Sequence, residues 1–135
     1  IKSETNMRIH IVAAVYVLIL AQFYDLSKAQ IVVLCITIFL VFALEMLNTA
    51  VESLADLVSP EKNKLAGIAK DTAAGAVLVS AISAVIVGFV IFWDRNVFEK
   101  IRIYFSDNIL SLIGIILLSV LAYIFAFVLF KNKNK

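Results

Sequence analysis

The sequence predicts an all-α protein, a polytopic membrane helical bundle, on three observations. Hydrophobic residues make up 63% of the 135 residues, whereas a soluble domain has about 45–50%. Four apolar segments, the first of them short, are separated by polar breaks, and a membrane-spanning helix needs about 20 such residues. The formal net charge is only +2, and the basic residues do not form a stripe with interleaved aromatics, so no nucleic-acid partner is expected.

The elements follow from the breaks between the apolar segments. Those segments cover residues 9–23, 29–58, 65–93 and 109–130. Ser27 is a candidate N-cap of the second helix, and Pro60 cannot continue a helix interior, so it separates the second helix from the third. Residues 94–107 mix charges with apolar residues such as Phe98 and Tyr104, a pattern that predicts a short amphipathic helix on the membrane surface.

The distribution of lysine and arginine predicts the orientation in the membrane. Four spanning helices place both termini on one side, together with the Pro60 loop. Eight of the 12 basic residues lie on that side and four on the other. The positive-inside rule therefore places the termini in the cytoplasm. The one cysteine, Cys35, lies in an apolar segment, so no disulfide framework is expected.

A polar stripe interrupts the second apolar segment. It consists of Glu45, Asn48, Thr49, Glu52 and Asp56. At about 100° per residue these positions share one helix face. A charged group in hydrocarbon costs at least about 2.5 kcal/mol by insertion scales, so the stripe predicts a functional site.

Other polar residues are expected at the level of the stripe. A short loop makes the second and third helices antiparallel neighbours, which brings Lys70 and Asp71 near Glu52. Glu4 and Arg8 stand one turn apart just before the first apolar segment. Carboxylate and amide oxygens suit Mg²⁺, lysine suits phosphate, and a carboxylate can serve as a general base. These are the parts that phosphoryl transfer requires.

The residues alone leave three interpretations open. A kinase here would lack a P-loop, since no GxxxxGK[ST] string occurs and the triphosphate would have to be held by metal and side chains. Intramembrane acids also mark proton or ion pathways. The third interpretation is a structural ion-pair cluster in which the stripe packs against Lys70 and Arg8.

Two strings favour the first interpretation. They read EMLNTAVE at residues 45–52 and AKDTAAGAVL at residues 69–78. Both resemble the signature of the small bacterial integral-membrane lipid kinases, the diacylglycerol kinase and undecaprenol kinase family. Residues 2–10 also resemble the segment before the first membrane helix of that family. The sequence of residues 73–76 is more similar to the undecaprenol kinase branch than to the diacylglycerol kinase branch.

The resemblance implies an ATP- and Mg²⁺-dependent kinase of the bacterial cell membrane, with its active site facing the cytoplasm. It would transfer the γ-phosphate to a membrane lipid alcohol, for which we expect undecaprenol. Diacylglycerol is the alternative acceptor, and a proton or ion pathway or a non-catalytic scaffold is a more distant alternative. The resemblance also implies a homotrimer with composite sites at the subunit boundaries.

Site roles follow from the resemblance position by position. Glu45 is expected to be the general base on the lipid hydroxyl, and Glu4 and Glu52 are expected to be the metal ligands. The groups expected to hold the nucleotide, directly or through the metal, are Asn48, Glu52, Lys70, Asp71 and Glu4. Asp56 is expected to support the site.

The resemblance covers about residues 2–92, which predicts two domains. Residues 1–93 would form a kinase core of three transmembrane helices. Residues 94–135 would add the amphipathic connector, a fourth transmembrane helix with a packing role and a basic tail. The basic surface helix that the family carries before its first span would precede Ile1 and has no counterpart in the printed sequence.

Overall fold

The described part of the chain is helical. The computed structural model describes residues 2–58 and 63–128, with the backbone alone for residues 2–4 and 95. The helices are α1 (Lys2–Ala21), α2 (Lys28–Val58), α3 (Lys64–Phe92), α4 (Arg95–Asp107) and α5 (Ile109–Tyr123), and α5 continues into a π-helical turn over Ile124–Val128. No strand occurs in these two stretches. The predicted all-α fold is therefore confirmed.

Three helices are long and apolar enough to cross a membrane. They cover Lys28–Val58, Lys64–Phe92 and Ile109–Val128, while the apolar part of the first helix, Thr5–Ala21, is shorter. At 1.5 Å per residue the 20 residues of α1 extend over about 30 Å, close to the thickness of the hydrocarbon core. The membrane bundle is confirmed for α2, α3 and α5, and the spanning of α1 stays a prediction.

Local hydrogen bonds determine where α2 and α3 begin. The Ser27 hydroxyl accepts from the backbone N–H of Gln30 at 3.3 Å, and the Gln30 side chain accepts from the backbone N–H of Ser27 at 2.9 Å. This reciprocal pair is a capping box and confirms Ser27 as the cap of α2. Before α3, the Asn63 side chain accepts from the backbone N–H of Leu65 at 2.8 Å. The predicted break at Pro60 lies outside the described residues.

The connector between α3 and α5 is the helix predicted for residues 94–107. Asp94 caps α4, since its carboxylate accepts from the backbone N–H of Asn96 at 2.9 Å. Val97 is buried, whereas the adjacent Phe98 is 68% exposed. The helix is therefore confirmed, and its position on the membrane surface stays a prediction.

The chain divides into two compact units. The first combines Ile1–Met7 with Ser27–Ile91, and the second combines Arg8–Leu26 with Phe92–Lys135. The first unit thus contains α2 and α3, and the second contains most of α1 with α4 and α5. The predicted division of the chain into a kinase core (residues 1–93) and an extension (residues 94–135) is a division by function, and it stays a prediction.

Aromatic contacts organise one end of the second unit. The rings of Phe23 and Tyr104 meet edge-on with centroids 5.2 Å apart, and those of Tyr24 and Phe92 do so at 4.9 Å. The Tyr24 hydroxyl donates to the Phe92 carbonyl at 2.7 Å. Burial raises the pKa of the Tyr24 phenol, and the Asp94 carboxylate raises it further. The turn after α1 is therefore held to the segment around Phe92 and to α4.

A hydrogen bond joins α1 to α5 within the same unit. The Tyr16 hydroxyl donates to the Ser119 hydroxyl at 2.7 Å, and Ser119 in turn donates to the Ile115 carbonyl at 2.8 Å. Both hydroxyl protons are therefore used. Bonds of this kind between membrane helices are worth about 0.6 kcal/mol on average and about 1.7 kcal/mol at most.

Tyr16→Phe should lower the free energy of unfolding by about 0.6–1.7 kcal/mol, because it removes only the bond to Ser119. The measurement is equilibrium unfolding of the purified protein in mixed micelles. Tyr123→Phe is the matched control, since the Tyr123 side chain is 62% exposed on α5. Equal losses in the two variants would contradict a specific role for the Tyr16–Ser119 bond.

Candidate functional site

The polar stripe is the continuation of the buried face of α2. Leu34, Val41, Glu45 and Asn48 are the buried residues of this helix. Their spacing of seven, four and three residues places them on one helix face. The face is apolar over its first half and becomes acidic at Glu45, so the helix that builds the core of the unit also positions the polar groups.

Glu45 and Asn48 contain buried polar atoms that lack a partner. Glu45 is 0% exposed and Asn48 is 4% exposed. Both carboxylate oxygens of Glu45 and the Oδ1 atom of Asn48 have no hydrogen-bond partner among the described residues. A buried unsatisfied group costs about 1–3 kcal/mol, and more when it is charged. Such a cluster of acceptors is suited to receive a donor from outside the described chain, such as a hydroxyl or a cation.

The amide of Asn48 links the buried part of the stripe to Glu52. Its Nδ2 atom donates to Glu52 Oε1 at 3.1 Å. This bond fixes which end of the amide faces Glu52 and leaves the Oδ1 atom as the unpartnered acceptor. The Thr49 hydroxyl donates to the Glu45 main-chain carbonyl at 3.0 Å, so it does not satisfy the Glu45 carboxylate.

The three acids of the stripe become more exposed toward the end of α2. Glu45 is fully buried, Glu52 is half-buried, and the Asp56 side chain is 71% exposed. Seven residues separate Glu45 from Glu52, which corresponds to about 10 Å along the helix axis. The stripe therefore offers one carboxylate in a dry environment and others where water can reach them.

Lys70 is held against the end of α2. Its ammonium group forms an ion pair with the Asp56 carboxylate. This contact places the first turns of α3 beside the last turns of α2. It agrees with the prediction that Lys70 lies near the polar stripe. Asp71 is the next residue and is exposed. The nucleotide roles of Lys70 and Asp71 stay predictions.

The predicted metal ligands are described only in part. Glu4 lies in α1, and its side chain is outside the described part of the structure. Among the described residues there is no group of three or more His, Cys, Asp or Glu side chains able to hold a metal ion. Mg²⁺ usually takes only one or two protein carboxylates together with phosphates and water. The Glu52 carboxylate and the unpartnered Asn48 Oδ1 atom are oxygen donors of the kind it prefers, so these residues fit the ion.

Ser80 is a buried polar residue that the motifs did not single out. It is 4% exposed, and its hydroxyl donates to the Val77 carbonyl at 2.7 Å. It is thus satisfied within α3 and lies on the same buried face as Val77. This contact agrees with a packing role for Ser80.

The fold and the stripe together define a class, an integral-membrane helical protein with a buried acid–amide site. The comparison with known families then identifies the family to which the chain belongs within that class. The profile described as Prokaryotic diacylglycerol kinase matches residues 1–92. The chain belongs to the prokaryotic diacylglycerol kinase family, and the predicted resemblance is confirmed.

Relatives with established names agree with this assignment. The chain is 49% identical over 87 residues to a diacylglycerol kinase of Synechocystis sp., which covers 64% of the chain and 50% of the relative. It is 41% identical over 94 residues to the undecaprenol kinase of Bacillus subtilis, covering 70% and 76%. It is 33% identical over 93 residues to the diacylglycerol kinase of Escherichia coli K12, covering 69% and 76%. No solved structure matches the chain.

These matches show which part of the chain the family assignment covers. The chain is a bacterial membrane protein of a lipid-kinase family, and it spans half the length of the Synechocystis relative. The family match ends at Phe92, which is also the last residue of α3. The helices α4 and α5 therefore lie outside the region that defines the family.

Proposed function

We propose that this protein is an ATP-dependent kinase that phosphorylates undecaprenol to undecaprenyl phosphate at the cytoplasmic face of the membrane. The observation on which the proposal rests is the buried Glu45 carboxylate, whose two oxygens have no partner among the described residues. In a chain of a lipid-kinase family, such a carboxylate is the group best suited to accept the proton of a lipid hydroxyl.

The proposed reaction uses Glu45 as a general base. The lipid hydroxyl donates a hydrogen bond to the Glu45 carboxylate, and its oxygen attacks the γ-phosphorus of ATP. The bond to the oxygen that bridges the β- and γ-phosphates breaks, ADP leaves, and the hydroxyl proton passes to Glu45. A positioned general base contributes about 10²–10⁴-fold to a rate. Burial of Glu45 keeps this proton transfer away from water.

The nucleotide would be bound nearer the exposed end of α2. We assign Asn48, Lys70 and Asp71 to nucleotide binding, and Glu52 with Glu4 to Mg²⁺. When bound, Mg²⁺ neutralises charge on the phosphates. Glu52 lies about 10 Å from Glu45 along α2, which separates the water-soluble donor from the apolar acceptor.

The acceptor can be determined by direct competition. Purified protein in micelles receives Mg-ATP with equal amounts of undecaprenol and diacylglycerol, and each phosphorylated lipid is counted by mass spectrometry. We expect undecaprenyl phosphate to form with the higher kcat/KM, because residues 73–76 resemble the undecaprenol kinase branch and the chain is 41% identical to the Bacillus subtilis undecaprenol kinase, against 33% to the Escherichia coli diacylglycerol kinase. Predominance of phosphatidic acid would assign the chain to diacylglycerol, a possibility that the 49% identity to the Synechocystis diacylglycerol kinase supports.

The same preparation tests whether the chain is a kinase at all. If neither lipid is phosphorylated and liposomes show a proton flux that Glu45→Gln abolishes, the protein is a proton pathway. If neither activity is found, the kinase proposal is wrong and a scaffold remains.

The assembly that we propose is a homotrimer. The family resemblance supports it. Native mass spectrometry from gentle detergent should give a species of three chains. A monomer as the smallest active species would contradict the proposal.

Asp56→Ala should raise the KM for ATP several-fold while changing the free energy of unfolding by no more than about 1 kcal/mol. The stability change is small because the side chains of Lys70 and Asp56 are 35% and 71% exposed, and exposed ion pairs are screened by solvent. The KM rises because Lys70 loses the partner that orients it. Asp107→Ala, an exposed acid outside the family match, is the control. An unchanged KM for ATP would contradict an orienting role for Asp56.

A further inference from the structure

Ser80 on α3 lies at the same level as Glu45 on α2. Both residues belong to the first compact unit, in which the ion pair between Asp56 and Lys70 fixes how the two helices align. Glu45 lies 11 residues before Asp56, and Ser80 lies 10 residues after Lys70. At about 1.5 Å per residue these separations are about 16 Å and about 15 Å along antiparallel helices. The two side chains therefore lie within about one turn of each other along the helix axes.

Both side chains are polar groups on the buried faces of their helices. Glu45 is 0% exposed, and Ser80 is 4% exposed. Across residues 64–92, which form the whole of α3, Ser80 is the one buried polar side chain. Packing alone would need only a small side chain, which alanine supplies at Ala84 one turn further along. A hydroxyl at this level therefore indicates a role for its hydrogen-bonding capacity.

The two side chains do not bond to each other. The Ser80 hydroxyl donates to the Val77 carbonyl at 2.7 Å, and both carboxylate oxygens of Glu45 lack a partner among the described residues. A serine hydroxyl can rotate its proton toward another acceptor. The Val77 carbonyl lies inside α3, where the helix supplies it with the backbone N–H four residues later. The Ser80 hydroxyl can therefore turn away without leaving that carbonyl unsatisfied.

A ligand between Glu45 and Ser80 has to give one hydrogen bond and take one. The Glu45 carboxylate only accepts, and the Ser80 hydroxyl can donate once it turns from the Val77 carbonyl. A metal cation or an ammonium group has no lone pair for Ser80, and an ester carbonyl has no proton for Glu45. A hydroxyl group has both. In a chain of a lipid-kinase family, the pair therefore favours the hydroxyl of a lipid alcohol.

We propose that Ser80 binds the acceptor, by donating a hydrogen bond to the oxygen of the lipid hydroxyl whose proton is directed at Glu45. The inference rests on the proposed kinase function and deepens it, since it adds a contact from α3 to the acceptor. The alcohol oxygen has two lone pairs. One accepts from Ser80, and the other is left to attack the γ-phosphorus of ATP. Such orientation of a reacting group lowers the barrier, and Ser80 itself neither gains nor loses a proton.

Lipid binding without nucleotide tests this contact apart from catalysis. Purified protein in gentle detergent is titrated with undecaprenol or with the hydrocarbon of the same prenyl chain, and bound lipid is counted by native mass spectrometry. A neutral hydrogen bond contributes about two- to tenfold to an equilibrium constant. Ser80→Ala should lower the preference for the alcohol over the hydrocarbon by that factor. An unchanged preference in Ser80→Ala would overturn the proposal.

Two further variants separate the hydroxyl contact from a change in packing. Ser83→Ala is the matched control, because the exposed Ser83 hydroxyl also donates within α3, to the Val79 carbonyl at 2.9 Å. It should keep the wild-type preference. Ser80→Thr retains a hydroxyl and should also keep the preference for the alcohol. The same loss of preference in Ser80→Thr as in Ser80→Ala would overturn the proposal.

The kinase assay gives a second readout. Ser80→Ala should lower kcat/KM for undecaprenol about two- to tenfold and leave the KM for ATP unchanged. A raised KM for ATP with unchanged kcat/KM for undecaprenol would overturn the proposal. If the wild type phosphorylates no lipid, the proposed function is wrong, and the binding preference measured without nucleotide still decides the role of Ser80.

Discussion

Replacement of Glu45 by glutamine should lower lipid phosphorylation by about 10²–10⁴-fold, the usual contribution of a positioned general base. Glutamine has nearly the same shape but cannot accept the hydroxyl proton. The side chain is 0% exposed and both carboxylate oxygens lack a partner among the described residues. The substitution therefore removes the carboxyl group without breaking any hydrogen bond described for that side chain.

The measurement is kcat with saturating acceptor lipid, together with nucleotide affinity by calorimetry. Nucleotide affinity should be unchanged, because Asn48, Lys70 and Asp71, the residues assigned to the nucleotide, are all retained in this variant. Glu99→Gln replaces an exposed acid on α4 and should keep wild-type kcat. Wild-type turnover in Glu45→Gln would refute the base assignment, and a loss of nucleotide affinity would indicate that Glu45 contacts the nucleotide instead.

The sequence predicts much of α2 because its signals are local. The spacing of Glu45, Asn48 and Glu52 requires only the helical period, and the cost of a buried charge indicates that the stripe has a function. The structure adds which residues of the stripe are buried away from water. Burial depends on the neighbouring helices, so the full burial of Glu45 and the exposure of Asp56 could not be derived from the period alone.

Contacts between distant segments are the part that the sequence does not predict. Tyr16 and Ser119 are 103 residues apart. Both helices carry other hydroxyl side chains, such as Thr5 on α1 and Ser111 on α5, so nothing in the pattern pairs these two. Hydroxyls inside two apolar segments indicate that such a contact can form, but not which two residues form it. The cap at Asn63 was missed for another reason, since an Asn directly before a helix is a local signal.

The stripe on α2 therefore separates two chemical environments along one rigid element. A lipid alcohol needs an apolar surrounding for its tail and a base at its hydroxyl, whereas ATP needs cations and water access. In the proposed mechanism the buried Glu45 would serve the lipid alcohol, and the half-buried Glu52 with Lys70 would serve the nucleotide. Because the helix fixes the spacing, substitutions at its two acids should have separable effects.

Glu52→Gln should shift the Mg²⁺ dependence of the reaction, with the midpoint raised at least about tenfold. Loss of a group that only orients a metal ligand already costs about 10–100-fold in metal affinity, and loss of a ligand charge should cost no less. The amide oxygen of glutamine can still accept the bond from Asn48 Nδ2, which is 3.1 Å from Glu52 Oε1 in the wild type. The packing of the stripe is thereby preserved.

The rate is measured as Mg²⁺ is varied at fixed ATP, and Mn²⁺ binding by electron paramagnetic resonance gives a second readout that does not need turnover. Asp107→Asn, an exposed acid outside the family match, should keep the wild-type midpoint. An unchanged Mg²⁺ profile and unchanged Mn²⁺ affinity in Glu52→Gln would remove Glu52 from the metal site. Comparison with Glu45→Gln distinguishes the roles of the two acids. Excess Mg²⁺ should partly restore the reaction rate of Glu52→Gln, whereas it should not restore the rate of Glu45→Gln.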